Sequence, residues 1–230
     1  MSQEINNSLK IIESGDGSHT ILHKGLNETY HSTHGARQES AYVFIKEGLE
    51  KGIANGLKSI SIFEVGFGTG LNAWLTYKKI KSTEGVNVIY HTVEPYPLDH
   101  SLYSKLNYVA NEEDASVKDF FEQLHQAPWD LEVELNGNFS LKKIKSTFEE
   151  VRIEEAFFDI IYYDAFAPSK QATMWVPENI AKAFFMLKKG GLLVTYCANG
   201  QFKRDLKAVG FLVETLVGPP GKKEMTRGLK

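Results

Sequence analysis

The stretch from Ile60 to Lys81 most narrows what this chain can fold into. An apolar, β-branched run (Ile60, Ile62, Phe63) leads through Glu64-Val65 into Gly66-Phe67-Gly68-Thr69-Gly70-Leu71-Asn72. A helix-like segment, Leu71 to Lys81, follows. Glycines at alternate positions permit a tight turn and let a ligand approach the backbone without a side chain in the way. The next apolar run (Val86, Val88, Ile89, Val93) ends at Glu94, about where a ribose-binding carboxylate belongs. A nucleoside-containing cofactor is therefore expected; the alternative is an ordinary strand–turn–helix rich in glycine.

Charge separates the candidate cofactors. The dinucleotide fingerprint is G-x-G-x-x-G with a pyrophosphate on the helix N-terminus. Here the register is G-x-G-x-G, and Glu64 directly precedes it. An acid at that point repels a pyrophosphate and suits a cation. S-adenosylmethionine carries an ammonium and a sulfonium and no phosphate, so Coulomb energy favours it.

Strand-like and helix-like segments then alternate. The pattern predicts strands at 59–65, 86–93, 139–144, 158–163 and 191–196. It predicts helices at 71–81, within 98–126, at 177–187 and at 201–209. Such alternation specifies an α/β fold, a mostly parallel doubly wound sheet with helical crossovers on both faces. Phe211–Val217, the turn Gly218-Pro219-Pro220-Gly221 and Glu224–Leu229 predict a closing antiparallel C-terminal hairpin. Gly190-Gly191 reads as a helix C-cap. Residues 1–55 form a small N-terminal extension: a hairpin around Ser14–Ser18 and an amphipathic helix from Arg37 to about Ile53. It is expected to pack on a core at 56–230 as one structural unit. The chain of 230 residues is within the range of a single α/β domain.

Phe158-Asp159-Ile160-Ile161-Tyr162-Tyr163-Asp164-Ala165-Phe166-Ala167-Pro168 is the second chemical motif. Its strand delivers Asp164 to the C-terminal end, where ligands of open α/β sheets sit. Glu64, Glu94 and Asp164 would converge there from three strands, whereas Asp159 should face solvent at the opposite end. A turn cap before Pro168 is the plainer role for Asp164.

The pair Glu64–Asn72 (EVGFGTGLN) and Asp164–Trp175 (DAFAPSKQATMW) resembles the MnmC-type tRNA methyltransferases, including the stand-alone MnmD form. Tyr30-His31-Ser32, Glu39-Ser40-Ala41-Tyr42-Val43-Phe44 and Lys222-Lys223-Glu224-Met225 extend the resemblance over nearly the whole chain. It implies a Rossmann-like class I S-adenosylmethionine-dependent methyltransferase. The implied reaction converts a 5-aminomethyl(-2-thio)uridine at the tRNA wobble position to its 5-methylaminomethyl form. It also implies that Glu64, Gly66, Gly68, Gly70, Asn72, Glu94 and Asp164 bind the cofactor, with Asp164 at the methyl-transfer centre. Tyr30, Phe166, Pro168, Lys170, Trp175, Lys222 and Lys223 are the substrate-side candidates. The chain departs from the family in having Gln171-Ala172 for Asn-Pro, and Ser146-Thr147 where many members place an acid against adenine. Its last residue is Lys230 with no flavin oxidase segment before it, so a separate enzyme is expected to supply the amine.

A net charge of −3 argues against wholesale coating of nucleic acid. Local basic clusters (Lys142/Lys143/Lys145, Lys203/Arg204/Lys207, Lys222/Lys223/Arg227) are either phosphate contacts or solvated faces. Trp175 either stacks on the target base or packs at a helix start. His23, His31 and His34 lack an acid or cysteine to complete a ligand set, so no metal is expected. The single cysteine, Cys197, excludes an internal disulfide and reads as a buried small residue. With no apolar run long enough for a membrane and no leader pattern at Met1–Lys10, a cytoplasmic protein is expected, with tRNA as partner and no obligate protein partner. The rival readings are a methyltransferase or aminopropyltransferase for a small-molecule amine, a nicotinamide-dependent dehydrogenase and a non-catalytic tRNA-binding module.

Overall fold

The computed structural model describes residues 8–152 and 154–230; Met1–Asn7, part of the segment read as lacking a leader, lies outside them. Among the described residues no helix is long and apolar enough to cross a membrane.

Eight strands make the main sheet, in the order β10-β11-β9-β8-β4-β5-β7-β6. Five are parallel neighbours: β7 (Phe139–Ile144), β5 (Asn87–Val93), β4 (Ser59–Val65), β8 (Phe158–Tyr163) and β9 (Leu187–Thr195). The hairpin of β10 (Leu212–Val217) and β11 (Glu224–Leu229) closes one edge, with β11 inserted antiparallel between β9 and β10. This is the mostly parallel sheet with antiparallel closure that the alternation predicted.

Period-two burial explains why the sheet is wound on both faces. Ile60 and Ile62 of β4 and Ile160 and Tyr162 of β8 face one apolar cluster. Phe63, Val65, Ile161 and Tyr163 face the other. The first cluster holds helix α1 (36–54) and α2 (Leu71–Lys81), then α3 (His100–Tyr103) and α4 (Ala115–Gln126); the second holds α5 (Pro177–Met186) and α6 (Gly200–Val209). α1 is α-helical at Ala36–Ser40 and Lys51–Ala54, but its middle, Ala41–Glu50, is wound as a π-helix. Gly48 and Gly52 let it lie close on β8 and β9: a Cβ at Gly48 would stand 3.1 Å from Tyr162 and Val194 side-chain atoms.

The N-terminal strands β1 (Leu9–Glu13), β2 (His19–His23) and β3 (Glu28–Thr29) form a separate antiparallel sheet. Its turn does the capping that Gly35, at the helix start, cannot. Ser14 Oγ, Ser18 Oγ and Asp16 Oδ2 accept from the N–H groups of Ala36, Arg37 and Gln38 at 3.1, 3.1 and 2.9 Å. These bonds pull residues 30–39 across the C-terminal ends of β4 and β8.

Four expectations need correction. β6 (Glu132–Asn136), an antiparallel edge strand on β7, was not anticipated. Gly190-Gly191 is no helix cap: α5 ends at Met186 and the chain turns straight into β9, where Gly190 has φ 81° at an irregularity in the pairing with β8. Asp159 is buried rather than facing solvent; it accepts from Ser61 N–H and Oγ and pairs with Lys188 at 2.8 Å. Lys143 is buried, so it belongs to no surface cluster.

Candidate active site

Glu64 and Asp164 face the same side of the sheet because each continues the parity of its strand: Ile60, Ile62, Glu64 and Ile160, Tyr162, Asp164. The Asp164 N–H still bonds to Val65 O at 3.2 Å, so the ladder carries the acid one residue past β8. Asn72, in the first turn of α2, ties the two acids together: its Nδ2 donates to Glu64 Oε1 at 3.0 Å and to Asp164 Oδ2 at 2.8 Å. Glu64 and Asn72 are buried beneath the cleft, and Glu64 Oε2 and Asn72 Oδ1 find no hydrogen-bond partner among the described residues.

The glycine loop bends over this pair. Gly66, Gly68 and Gly70 have φ of 92°, 49° and 73°, a region costly for any residue with a Cβ. A Cβ at Gly66 would lie 3.1 Å from Asp164 O, and one at Gly68 3.1 Å from the Tyr30 ring. Glu94 secures the loop from the next strand: its Oε2 accepts from Gly68 N–H at 3.1 Å and its Oε1 from Tyr96 N–H at 2.8 Å. His31 Nε2 and Thr69 Oγ1 lie 2.6 Å apart, and His125 Nε2 lies 3.1 Å from Thr69 O. Burial lowers His31 to about 4 and His125 to about 3, so both rings are neutral supports at pH 7. Lys143 donates to His125 O at 2.7 Å and lies over the rings of Trp129 and Phe67, and its burial lowers it to about 8.

A cleft of about 480 Å³ opens at these strand ends. Tyr30, Gly66, Gly68, Glu94, Asp164, Phe166 and Lys170 line it, whereas Glu64, Gly70 and Asn72 lie behind its wall. Burial holds Asp164 up to about 7, against an Asn72 bond that lowers it; Glu39 raises it further and Lys222 opposes that. Burial, then Asp164, pushes Glu64 well above the usual carboxylate range, and burial raises Glu94. Asp164 and Glu94 thus line the cleft with carboxyl groups that burial makes costly to ionise and that a bound cation would help to ionise.

The substrate-side candidates divide. Tyr30 and Phe166 meet edge to face, 5.2 Å between centroids, at the mouth of the cleft. Trp175 is not in the cleft: it is buried against Tyr163 and Phe202, and its Nε1 donates to Phe166 O at 2.8 Å, so it supports the loop from behind. Pro168 is half-buried in the same loop and Lys223 is exposed. Lys222 is ion-paired with Glu39. Arg227, read with Lys222 and Lys223 as a phosphate contact, is buried instead between Glu47 and Glu214, at 3.1 and 2.6 Å. Cys197 is buried, as read.

Thr147, marked in the sequence as standing where relatives place an acid against adenine, lines the cleft together with Phe148 and Glu149, which the sequence reading missed. Lys182 on α5 holds this wall, donating to the carbonyls of Phe148, Glu149 and Val151 at 2.5, 3.1 and 2.6 Å. The sequence reading also missed Glu39, although that residue stands inside a motif it had singled out.

Known proteins point the same way as the geometry. Residues 111–230 match the family described as S-adenosyl-L-methionine-dependent methyltransferase. The bifunctional protein MnmC of tRNA 5-methylaminomethyl-2-thiouridine biosynthesis from Cupriavidus necator is 29% identical over 224 residues, 87% of this chain and 31% of its own length. Its counterpart from Pseudoalteromonas atlantica is 29% identical over 230 residues, 91% of this chain and 32% of its own. The chain thus spans about a third of these curated relatives. Among solved structures, MnmC2 from Aquifex aeolicus superposes with a TM-score of 0.78 at 25% identity, covering 96% of this chain and 69% of that one. Spermidine synthase from Thermotoga maritima shares the fold at a TM-score of 0.52 and 14% identity, over 96% of this chain and 68% of that one.

Proposed function

The chain belongs to the family of S-adenosyl-L-methionine-dependent methyltransferases, and from that premise we propose that it methylates the 5-aminomethyl group of a modified wobble uridine in tRNA. The names of its MnmC relatives support this substrate, and the residues here fit the chemistry. Most telling is the cluster of Glu64, Asn72 and Asp164: two carboxyl groups with one amide bridging them, with no basic side chain bonded to either among the described residues, at the edge of a glycine cradle that any Cβ would crowd. That is a site for a cation, and the cofactor supplies one, its sulfonium methyl being the group transferred.

In this reading Gly66, Gly68 and Gly70 keep the loop clear for the cofactor. Glu94 bonds the ribose hydroxyls while still fixing Gly68. Lys182 holds the 147–149 wall at the base end. Asp164 orients the acceptor amine. The neutral amine uses its lone pair to form the N–C bond as the S–C bond breaks, the bonding electrons staying on sulfur; positive charge thereby moves to nitrogen. Asp164 stabilises that ammonium and, held near 7, can take its proton directly or through water. Positioning contributes most, on the order of 7–11 kcal/mol when reactants are held in line.

Of the extension read at 1–55, the described residues 8–55 pack on the 56–230 core and supply Tyr30, His31 and Glu39 to the site of one structural unit. The transfer itself calls on neither metal nor flavin, and the setting is the cytoplasm, where tRNA is the partner. A small-molecule amine is the second reading, since spermidine synthase shares the fold. Four mixtures separate them: labelled S-adenosylmethionine with aminomethyl-bearing tRNA, with unmodified tRNA and with putrescine, and decarboxylated S-adenosylmethionine with putrescine. Transfer confined to the first supports the proposal. Transfer to putrescine in either mixture, with none to tRNA, overturns it.

A further inference from the structure

A second cavity of about 260 Å³ adjoins the cleft, and Tyr30, His31, Ala165 and Phe166 line both. The Tyr30–Phe166 ring pair belongs to the walls of both. Two neighbouring segments near the start, residues 30–32 and Glu39 in the first turn of α1, meet Lys222 from the turn before β11 in this cavity. Glu39 and Lys222 form an ion pair on its wall, with 7% and 31% of their side chains exposed. Glu39 Oε1 also accepts from Ser32 N–H at 2.9 Å. Lys222 Nζ sits 3.9 Å from the centroid of the Tyr196 ring, whose hydroxyl donates to Ala165 O at 2.8 Å. The pair is thus built in, fixed by partners from three directions, rather than a loose surface contact.

We propose that this second cavity is the chamber for the acceptor base, with the Glu39–Lys222 pair reading a uracil edge and Tyr30, Phe166 and Tyr196 enclosing the ring. The inference rests on the function proposed above and specifies how that site chooses its substrate. A methyl acceptor must approach Asp164 from the side that the cofactor does not fill, and this cavity reaches Asp164's neighbours Ala165 and Phe166 from that side. The charges of Glu39 and Lys222 both act on Asp164, the first raising it and the second opposing that. Aromatic walls suit an unstacked base.

The pair's chemistry selects the base. A carboxylate beside an ammonium offers an acceptor next to a donor. Uracil matches it with N3–H as donor and an adjacent carbonyl as acceptor. With the carbonyl at position 4 as that acceptor and the ring held in one orientation by its 5-aminomethyl group at Asp164, cytosine reverses both, setting its N3 lone pair against the carboxylate and its 4-amino group against the ammonium. The charges stay paired with each other, so the wrong base is rejected by the repulsion of these like-against-like contacts rather than by an empty partner.

The test uses anticodon stem-loop oligonucleotides carrying either 5-aminomethyluridine or 5-aminomethylcytidine, with the wild type, Lys222→Met and the double variant Glu39→Gln/Lys222→Met. The wild type should methylate the uridine oligonucleotide with at least about tenfold preference. Lys222→Met should raise the acceptor KM about tenfold or more. The double variant removes both charges together and so keeps the fold; it should lose the uridine preference while binding S-adenosylhomocysteine within about twofold of wild type. A double variant with wild-type KM and preference overturns the assignment. So does one whose S-adenosylhomocysteine affinity falls in parallel, since the pair would then be holding the cofactor side. No transfer by the wild type to either oligonucleotide would instead overturn the function on which the inference rests.

Discussion

Replacing Asp164 by Asn should make the protein more stable at pH 8 and much slower as an enzyme. Burial lifts this carboxyl from an ordinary 3.8 to about 7, and each pKa unit corresponds to about 1.4 kcal/mol. Keeping the group ionised therefore costs the fold up to about 4 kcal/mol. Asp164 is half-buried on an open cleft, and solvent there screens part of that cost, leaving about 2 kcal/mol. The folded value lies above the unfolded one, so the native state favours the proton. The stability it contributes is intact below about pH 4 and is lost as the pH rises through about 7. Asn cannot ionise, and its amide oxygen can still accept from Asn72. Cofactor-free wild type and Asp164→Asn should melt alike near pH 4 and separate progressively toward pH 8, the variant then higher by about 4–8 °C. Turnover at pH 8 should fall about 100-fold or more, because the developing ammonium loses its carboxylate. Calorimetric melting across that pH series checks the first effect. A melting difference independent of pH, or a variant less stable at pH 8, would refute the burial argument.

Other outcomes follow from neighbouring residues. Glu94→Ala should weaken S-adenosylhomocysteine binding by about 1.5–3 kcal/mol in calorimetric titration, through lost ribose contacts and a freed Gly68 N–H. Gly68→Val should be worse, because its φ of 49° and the Tyr30 ring 3.1 Å from a Cβ leave no room for a branched side chain. Lys182→Met should loosen the 148–151 turn and raise the cofactor KM about tenfold while kcat at saturating cofactor holds; a fall in kcat alone would count against it. Arg227→Met should cost about 1–3 kcal/mol of stability in denaturant melts by removing the main partner of the half-buried Glu47, and leave the salt dependence of tRNA binding unchanged. A flattened salt slope would restore Arg227 as a phosphate contact.

What the sequence could tell depended on how local the cause was. Strands 59–65, 139–144 and 158–163 and helix 71–81 carry their periodicity in their own residues, and the structure has the same bounds. The glycine turn and the acids at the ends of β4, β5 and β8 follow from the same local pattern plus the rule that ligands sit at strand ends. β6 escaped because a short edge strand alternating Glu132-Val133-Glu134-Leu135 has little apolar content of its own. Lys188-Lys189-Gly190-Gly191 misled because a glycine pair after lysines fits a cap as well as a bulge in β9. Asp159, Lys143 and Arg227 were misjudged for one reason: each is charged and buried, and its partners come from distant segments. Glu39 and Lys222 are 183 residues apart and meet because β11 threads back beside β9. No window of sequence contains that contact.

The most direct test of the central claim is to identify the nucleoside that receives the label. The protein is incubated with methyl-labelled S-adenosylmethionine and tRNA bearing 5-aminomethyluridine at the wobble position, and the tRNA is digested and resolved by chromatography and mass spectrometry. The account predicts label in 5-methylaminomethyluridine at that position, and none when the wobble uridine lacks its aminomethyl group. Label on any other nucleoside, or equal label without the aminomethyl group, would contradict it.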